Sequence, residues 1–213
     1  MFNRTSSIVQ SSITKKENRS LSGDFLFFIC IYAKIVVPLQ PQKRKAMKRI
    51  INPWTHITGY NCFGCSPDNP IGTRMRFFED GDSIVSIWRP TQNHQSWANT
   101  LHGGVQAVLL DEVCGWVVFH LLKTAGVTAK MEIRYHKPVS TIQDYIKLRG
   151  YLKEMHRNVA IVAGELYGAD GELLCECTCT YFTFRQEDAI EKMGYIPSET
   201  ENKEYTWEEC LNM

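Results

Sequence analysis

The sequence predicts an α+β fold in which a curved antiparallel sheet of about six strands wraps one long central helix. An apolar stretch at 103–125 has the length of a helix that is surrounded by protein on every side. About six other segments have the alternation or the β-branched and aromatic content of strands. The last four follow one another with short turns, which favours antiparallel neighbours around a single helix.

Before the helix, the pattern indicates a hairpin. Its strands are expected at 73–78 and 83–88, because Glu79-Asp80-Gly81-Asp82 between them tolerates tight backbone geometry. A polar loop at 90–101 leads to the helix. Glycine at position 126 is expected to end it.

After the helix, residues 128–136 alternate and predict a strand. Met131, Ile133 and Tyr135 share one face of it, and Pro138 ends it. The remaining strands are expected at 145–155, 159–167 and 173–184.

Charge divides the 213-residue chain into parts. Residues 1–49 contain ten Lys and Arg against two Asp and Glu, whereas residues 185–213 contain three against eight. We interpret 1–46 as a disordered leader or an over-long start before Met47, 47–72 as a lead-in segment, 73–184 as the folded domain and 185–213 as an acidic extension. Deleting residues 1–46 is expected to leave melting temperature and activity unchanged. The net charge of +1 gives no field that would recruit nucleic acid.

Eight cysteines in a chain of this length, with no clear cleaved signal, indicate a reducing cytoplasm rather than a disulfide scaffold. The apolar run 25–37 is too short to span a membrane, although a secretory signal stays an alternative. Cys62 and Cys65 have metal-ligand spacing, but no second pair follows, so no metal is expected. Alternating cysteines on the last strand are expected in the core: Cys175, Cys177 and Cys179.

The adjacent carboxylates Asp111 and Glu112 lie in the apolar helix. Burying an unpaired carboxylate costs several kcal/mol, so a functional pocket explains them best. Gly103 and Gly104 at the helix start allow a ligand to approach amides that lack an intrahelical acceptor. The alternative is that the two glycines only form a tight turn and that both carboxylates contact structural partners.

Several short motifs together resemble the hotdog-fold thioesterases, in particular those similar to phenylacetyl-CoA thioesterase. They are His102-Gly103-Gly104, Asp111 nine residues after the histidine, Thr128 with Lys137-Pro138 around the next strand, and the turn Asp170-Gly171. The resemblance covers residues 60–184. The segment Asn61-Cys62-Phe63-Gly64-Cys65 and Asn69-Pro70-Ile71-Gly72 is similar to the lead-in of many uncharacterised members.

The resemblance implies that the Gly103 N–H polarises a thioester carbonyl, that Asp111 acts as base or nucleophile and that His102 shapes the turn. Glu112 is the alternative acid, because about 100° of helical turn separates the two carboxylates and sequence cannot orient the helix. The family often has an asparagine six residues before the histidine. This chain has Ser96 there, and Gln95 or Asn99 are the candidates to replace it.

The expected activity is hydrolysis of acyl-CoA without a cofactor. Gly104 and Trp97 are further candidates for the substrate site, and Lys137 and Arg157 for the CoA phosphates. A non-catalytic acyl-CoA-binding protein is one alternative. Another is a hotdog hydratase or dehydratase, although this sequence lacks the Phe-Pro-Gly entry loop that is typical of such enzymes.

A homodimer with composite sites, which could pair again into a tetramer, is also expected. Gly103 and Asp111 are eight residues apart, about 12 Å along one helix, which is too far to act on one carbon atom. A two-fold pairing of helices would bring the glycine of one subunit to the acid of the other.

Overall fold

A computed structural model describes residues 46–213 and confirms the predicted hotdog architecture, with one central helix against a large antiparallel sheet. The leader proposed for residues 1–46 lies outside the described residues, apart from Ala46. Within residues 46–213, the sheet has eight strands rather than about six. They are β1 (Met47–Ile50), β2 (Phe77–Asp80), β3 (Ser83–Trp88), β4 (Gly126–Tyr135), β5 (Ile146–His156), β6 (Val159–Tyr167), β7 (Leu173–Thr183) and β8 (Thr200–Tyr205).

The two strands that the pattern does not predict, β1 and β8, pair with each other at one end of the sheet, whose order is β4-β7-β6-β5-β3-β2-β1-β8. β1 is only four residues long, and β8 has the polar sequence Thr-Glu-Asn-Lys-Glu-Tyr. Neither carries the alternation by which a half-buried strand is recognised.

The central helix, α1, is Gly103–Trp116 and continues as one wider π-helical turn, Val117–Leu121. It ends before the predicted Ala125, because Lys123 has a left-handed backbone with φ of 53°. Two short helices follow β7, namely α2 (Gln186–Met193) and α3 (Trp207–Leu211). A 3₁₀ turn at Gln92–His94 lies in the predicted polar loop.

Close contact with the sheet explains why α1 is apolar on almost every side. A Cβ on Gly150 would lie 2.8 Å from the Val113 carbonyl oxygen, and one on Gly164 would lie 2.8 Å from Cys114 Sγ. Glycine at both positions lets the helix backbone approach the strands. By length and composition alone Gly103–Leu121 could cross a membrane, but here it is the core helix of the domain. The predicted burial of Cys175, Cys177 and Cys179 is confirmed.

The C-terminal segment is joined to the core by buried polar contacts. Tyr195 donates a hydrogen bond of 2.9 Å to the Phe119 carbonyl oxygen at the end of the helix. The buried His120 ring contacts Ser198 Oγ at 2.8 Å and Glu79 Oε2 at 2.7 Å. These contacts fix the segment that leads into β8.

Candidate active site

The Asp111 carboxylate is partly buried between α1 and the first half of β4. Thr128 Oγ1 donates a hydrogen bond of 3.0 Å to Asp111 Oδ1. The Tyr181 hydroxyl, on β7, lies 3.2 Å from the same oxygen and 3.0 Å from the Asp111 carbonyl oxygen. Burial raises the pKa of the Asp111 carboxyl, and the two hydroxyl contacts oppose this rise in pKa. A raised pKa brings a carboxylate closer to the range of an effective general base.

A β-bulge places Thr128 on the face of β4 that meets the helix. Thr128 pairs with Tyr181 and Lys130 pairs with Thr180, so one extra residue lies between them on β4. Beyond the bulge, Met131 and Ile133 pack against the core, as the alternation predicts. Without the bulge, Thr128 would point away from these residues. Bulges are common beside active sites because they re-aim a side chain.

The helix start offers one unpaired backbone donor. The Gly104 N–H donates to His102 Nδ1 at 2.9 Å, so His102 is the N-cap of α1. In the part of the chain that the structure describes, the Gly103 N–H has no acceptor. The Tyr135 hydroxyl donates to the Gly103 carbonyl oxygen at 3.0 Å and fixes this turn against the end of β4. The geometry suits a turn-shaping role for His102. The Gly103 N–H could donate a hydrogen bond to an oxyanion.

Gly103 and Asp111 do not meet within one subunit. Gly103 contacts Tyr135 at the last residue of β4, whereas Asp111 contacts Thr128 near its first. These β4 residues are seven positions apart, so the donor and the acid lie at different ends of the strand. Within one chain, the donor and the acid therefore lie apart.

The second acid, Glu112, faces a different neighbourhood from Asp111. Trp116 Nε1 donates to Glu112 Oε1 at 3.3 Å, and Cys62 Sγ lies 3.8 Å from the same oxygen. Burial, together with the charge of the neighbouring Cys62, raises the pKa of the Glu112 carboxyl to about 7. The fold thus separates the two carboxylates, and it is Asp111 that lies beside the exposed strand β4.

Side chains of the loop before the helix hold the loop itself. Gln95 Oε1 accepts the Asn99 N–H at 3.1 Å, and Asn99 has a left-handed backbone with φ of 59°. The Ser96 N–H donates to the Thr100 carbonyl oxygen at 2.8 Å. Trp97 is 83% exposed and contacts no core cluster within the described chain. Within one subunit, none of these residues is directed at Asp111.

The two cations expected to bind CoA lie near opposite ends of strand β4. Lys137 follows β4 near the helix start and pairs with Glu172. Arg157 is in the turn between β5 and β6, next to Asn158, whose carbonyl oxygen accepts the Thr183 N–H. Since Thr183 pairs with Gly126 at the start of β4, Arg157 lies at the Asp111 end. One subunit does not bring these cations together.

Thr128 and Tyr181 are site residues that the sequence pattern does not predict. Strict alternation places Thr128 on the outer face of its strand, and Tyr181 lies in a strand whose cysteines are expected in the core. The signal that could have found it is a tyrosine among the apolar and cysteine residues of β7, because a buried tyrosine hydroxyl requires a polar partner.

Comparison with known proteins gives a family match and a fold. The model of the thioesterase superfamily matches residues 98–175, which include the helix start, Asp111 and Thr128. A search of curated proteins found no significant match.

Solved structures of thioesterases are similar to the chain at low sequence identity. A thioesterase superfamily protein has a TM-score of 0.54 at 24% identity, covering 79% of this chain and 81% of its own. A variant of a hypothetical thioesterase from Streptococcus pneumoniae TIGR4 has a TM-score of 0.50 at 20% identity, covering 60% and 99%. At these identities the likeness concerns the fold. Residues 98–175 thus carry the sequence pattern of the thioesterase superfamily, within a chain that has the hotdog fold of these proteins.

Proposed function

We propose that this protein hydrolyses acyl-CoA thioesters at two equivalent sites of a homodimer. One observation carries the proposal: Asp111, on the apolar central helix, is held by the hydroxyls of Thr128 and Tyr181. A partly buried carboxylate fixed in this way is suited to activate water or to attack a carbonyl carbon.

In the proposed reaction, water attacks the thioester carbon and Asp111 accepts its proton. The carbonyl oxygen becomes an oxyanion, which the Gly103 N–H of the other subunit stabilises. The carbon–sulfur bond then breaks and the proton passes to the CoA sulfur, so that the products are a carboxylic acid and CoA. Loss of one such oxyanion donor costs about 3–4 kcal/mol in well-studied acyl-transfer enzymes.

The edge of the sheet supports the dimer. Within residues 46–213, β4 pairs only with β7, and its ten residues are mostly exposed. Unpaired edges of this length readily pair with another chain. Antiparallel pairing of β4 with its copy would place the Tyr135 end of one strand beside the Thr128 end of the other. The Gly103 amide would then face Asp111 of the partner.

The same pairing supports a substrate site at the interface. Lys137 of one subunit would approach the end of the partner where Arg157 lies, and both charges could bind CoA phosphates. The exposed Trp97 beside the helix start is available to contact the acyl group. Acyl-chain preference would then depend on residues from both subunits.

A panel of aromatic, short-chain and long-chain acyl-CoAs tests the function. We expect thiol release from at least one class, followed with a thiol-reactive dye. Tight binding of acyl-CoA without thiol release from any class would instead indicate the non-catalytic binding protein. Turnover of enoyl-CoA to the hydroxyacyl-CoA would indicate the hydratase.

Replacing Thr128 with valine is expected to lower kcat by about tenfold or more, because Asp111 would lose a hydrogen bond that orients it. Valine has nearly the same shape, and serine keeps the hydroxyl. Thr128→Ser is therefore the matched control and should retain most of the activity. Equal kcat values for the two variants would show that the hydroxyl does not position the acid.

A further inference from the structure

A second polar cluster lies on the other side of α1 from Asp111. Cys62 Sγ is 3.5 Å from Cys65 Sγ and 3.8 and 3.9 Å from the two Glu112 oxygens. The sequence predicts no metal here because it shows only two ligands at metal spacing. The fold supplies the third, since Glu112 approaches from a helix fifty residues away.

These separations fit one tetrahedral metal ion. Zinc binds thiolate sulfur at about 2.3 Å and carboxylate oxygen at about 2.0 Å, so that tetrahedral ligands are about 3.5–3.8 Å apart. The two distances from Cys62 Sγ are within about 0.4 Å of these values, and all three donor atoms lie within 4.8 Å of one another. By contrast, Cys114, Cys177 and Cys179 are fully enclosed in the hydrophobic core, where close sulfur packing is sufficient explanation.

The surrounding residues hold the three donors in this arrangement. A Cβ on Gly64 would lie 2.2 Å from Glu112 Oε2, so only glycine lets the carboxylate reach the cysteines. Trp116 Nε1 donates to Glu112, and the Tyr60 hydroxyl lies 3.0 Å from Cys65 Sγ. Outer contacts of this kind orient metal ligands.

We propose that Cys62, Cys65 and Glu112 bind one zinc ion, which ties the lead-in segment to the central helix. The fourth position faces a cavity of about 340 Å³ whose other walls include Trp54, Phe119 and Tyr195. Water or a small ligand can complete the coordination from there. Two thiolates favour zinc over magnesium or calcium, which require oxygen ligands.

Cobalt titration of the full-length protein, kept reduced with a phosphine so that Cys62 and Cys65 remain thiols, tests the site. We expect one equivalent of Co²⁺ to bind, with thiolate-to-cobalt charge-transfer absorption and the intense visible bands of tetrahedral cobalt, and Zn²⁺ to displace it. Elemental analysis after dialysis against Zn²⁺ should give one zinc per chain. Absence of the charge-transfer band in the wild-type protein would overturn the proposal.

Variants assign the ligands. Cys62→Ser and Cys65→Ser should each abolish the charge-transfer band, and Glu112→Gln should weaken cobalt binding at least about tenfold while the thiolate band remains at high cobalt concentration. Cys210→Ser, at a buried cysteine in a separate cluster, is the matched control and should bind like wild type. Loss of binding in Cys177→Ser with none in Cys62→Ser would place the metal at the core cysteines and overturn the proposal. Because Glu112→Gln is nearly isosteric, it tests the site even where a serine variant does not fold.

Discussion

Asp111→Asn is expected to lower the rate of acyl-CoA hydrolysis by about 10²–10⁴-fold, the usual contribution of a general base. Asparagine preserves the shape of the side chain and its contact with Thr128, but it cannot accept the proton of water. Steady-state thiol release checks the result. Turnover like that of the wild-type protein would eliminate Asp111 as the working acid.

The same variant should fold as stably as the wild-type protein, or more stably. Because burial raises the pKa of Asp111, the folded state disfavours the charged carboxylate, and at neutral pH the ionised group costs stability. A neutral amide avoids that cost. The melting temperature therefore separates a chemical defect from a folding defect.

Glu112→Gln should retain most of the turnover, because Glu112 faces Cys62 and Trp116 instead of Thr128.

Mixing two inactive variants is expected to restore activity. The Gly103→Pro variant lacks the backbone N–H donor. We expect little structural cost, because proline suits the first position of a helix. The preceding residue, His102, already has the extended backbone that a residue before proline requires, with ψ of 134°. When this variant is co-refolded with Asp111→Ala, half of the dimers should be mixed, and each has one intact composite site. We expect about a quarter of the wild-type activity per chain.

The reciprocal mixture is the control. A chain carrying both substitutions, co-refolded with wild-type chain, gives mixed dimers in which each composite site has one defect. Activity should then come from wild-type dimers alone, about a quarter of the fully wild-type value. If each chain contains a complete site, this mixture should instead give about half, and the first mixture none. The two outcomes distinguish shared sites from separate ones.

The sequence was sufficient for the fold class and for the presence of an acid pair on the central helix. A long apolar segment with one acid pair has few physical explanations, and the turns after it are short enough to impose an antiparallel order. The orientation of the acids could not be predicted, because Asp111 and Glu112 differ by about 100° on a helix whose sequence is apolar on almost every side. Contacts with Thr128 and Cys62, both distant in sequence, decide which acid faces which partner.

The residues around Asp111 were missed for a similar reason. Position 128 faces the helix only because of the bulge that follows it, and a single inserted residue leaves no trace in an otherwise regular alternation. Gln95 and Asn99 carry the same amide group as the asparagine that they are expected to replace. In the structure, that chemistry closes the loop on itself, a local alternative that amide side chains often take.

The unequal edges of the sheet have a consequence for solubility. An open sheet whose two edges could both recruit neighbours would polymerise into filaments, since each added chain would expose a fresh edge. Here β8 is short and carries Glu201, Lys203 and Glu204, and repeated charges of this kind discourage further strand addition. In the proposed dimer, strand addition would occur at β4 alone, and two-fold pairing would leave no β4 edge exposed for a further chain. Charge-neutralising substitutions in β8 would therefore favour growth of aggregates without touching Gly103 or Asp111.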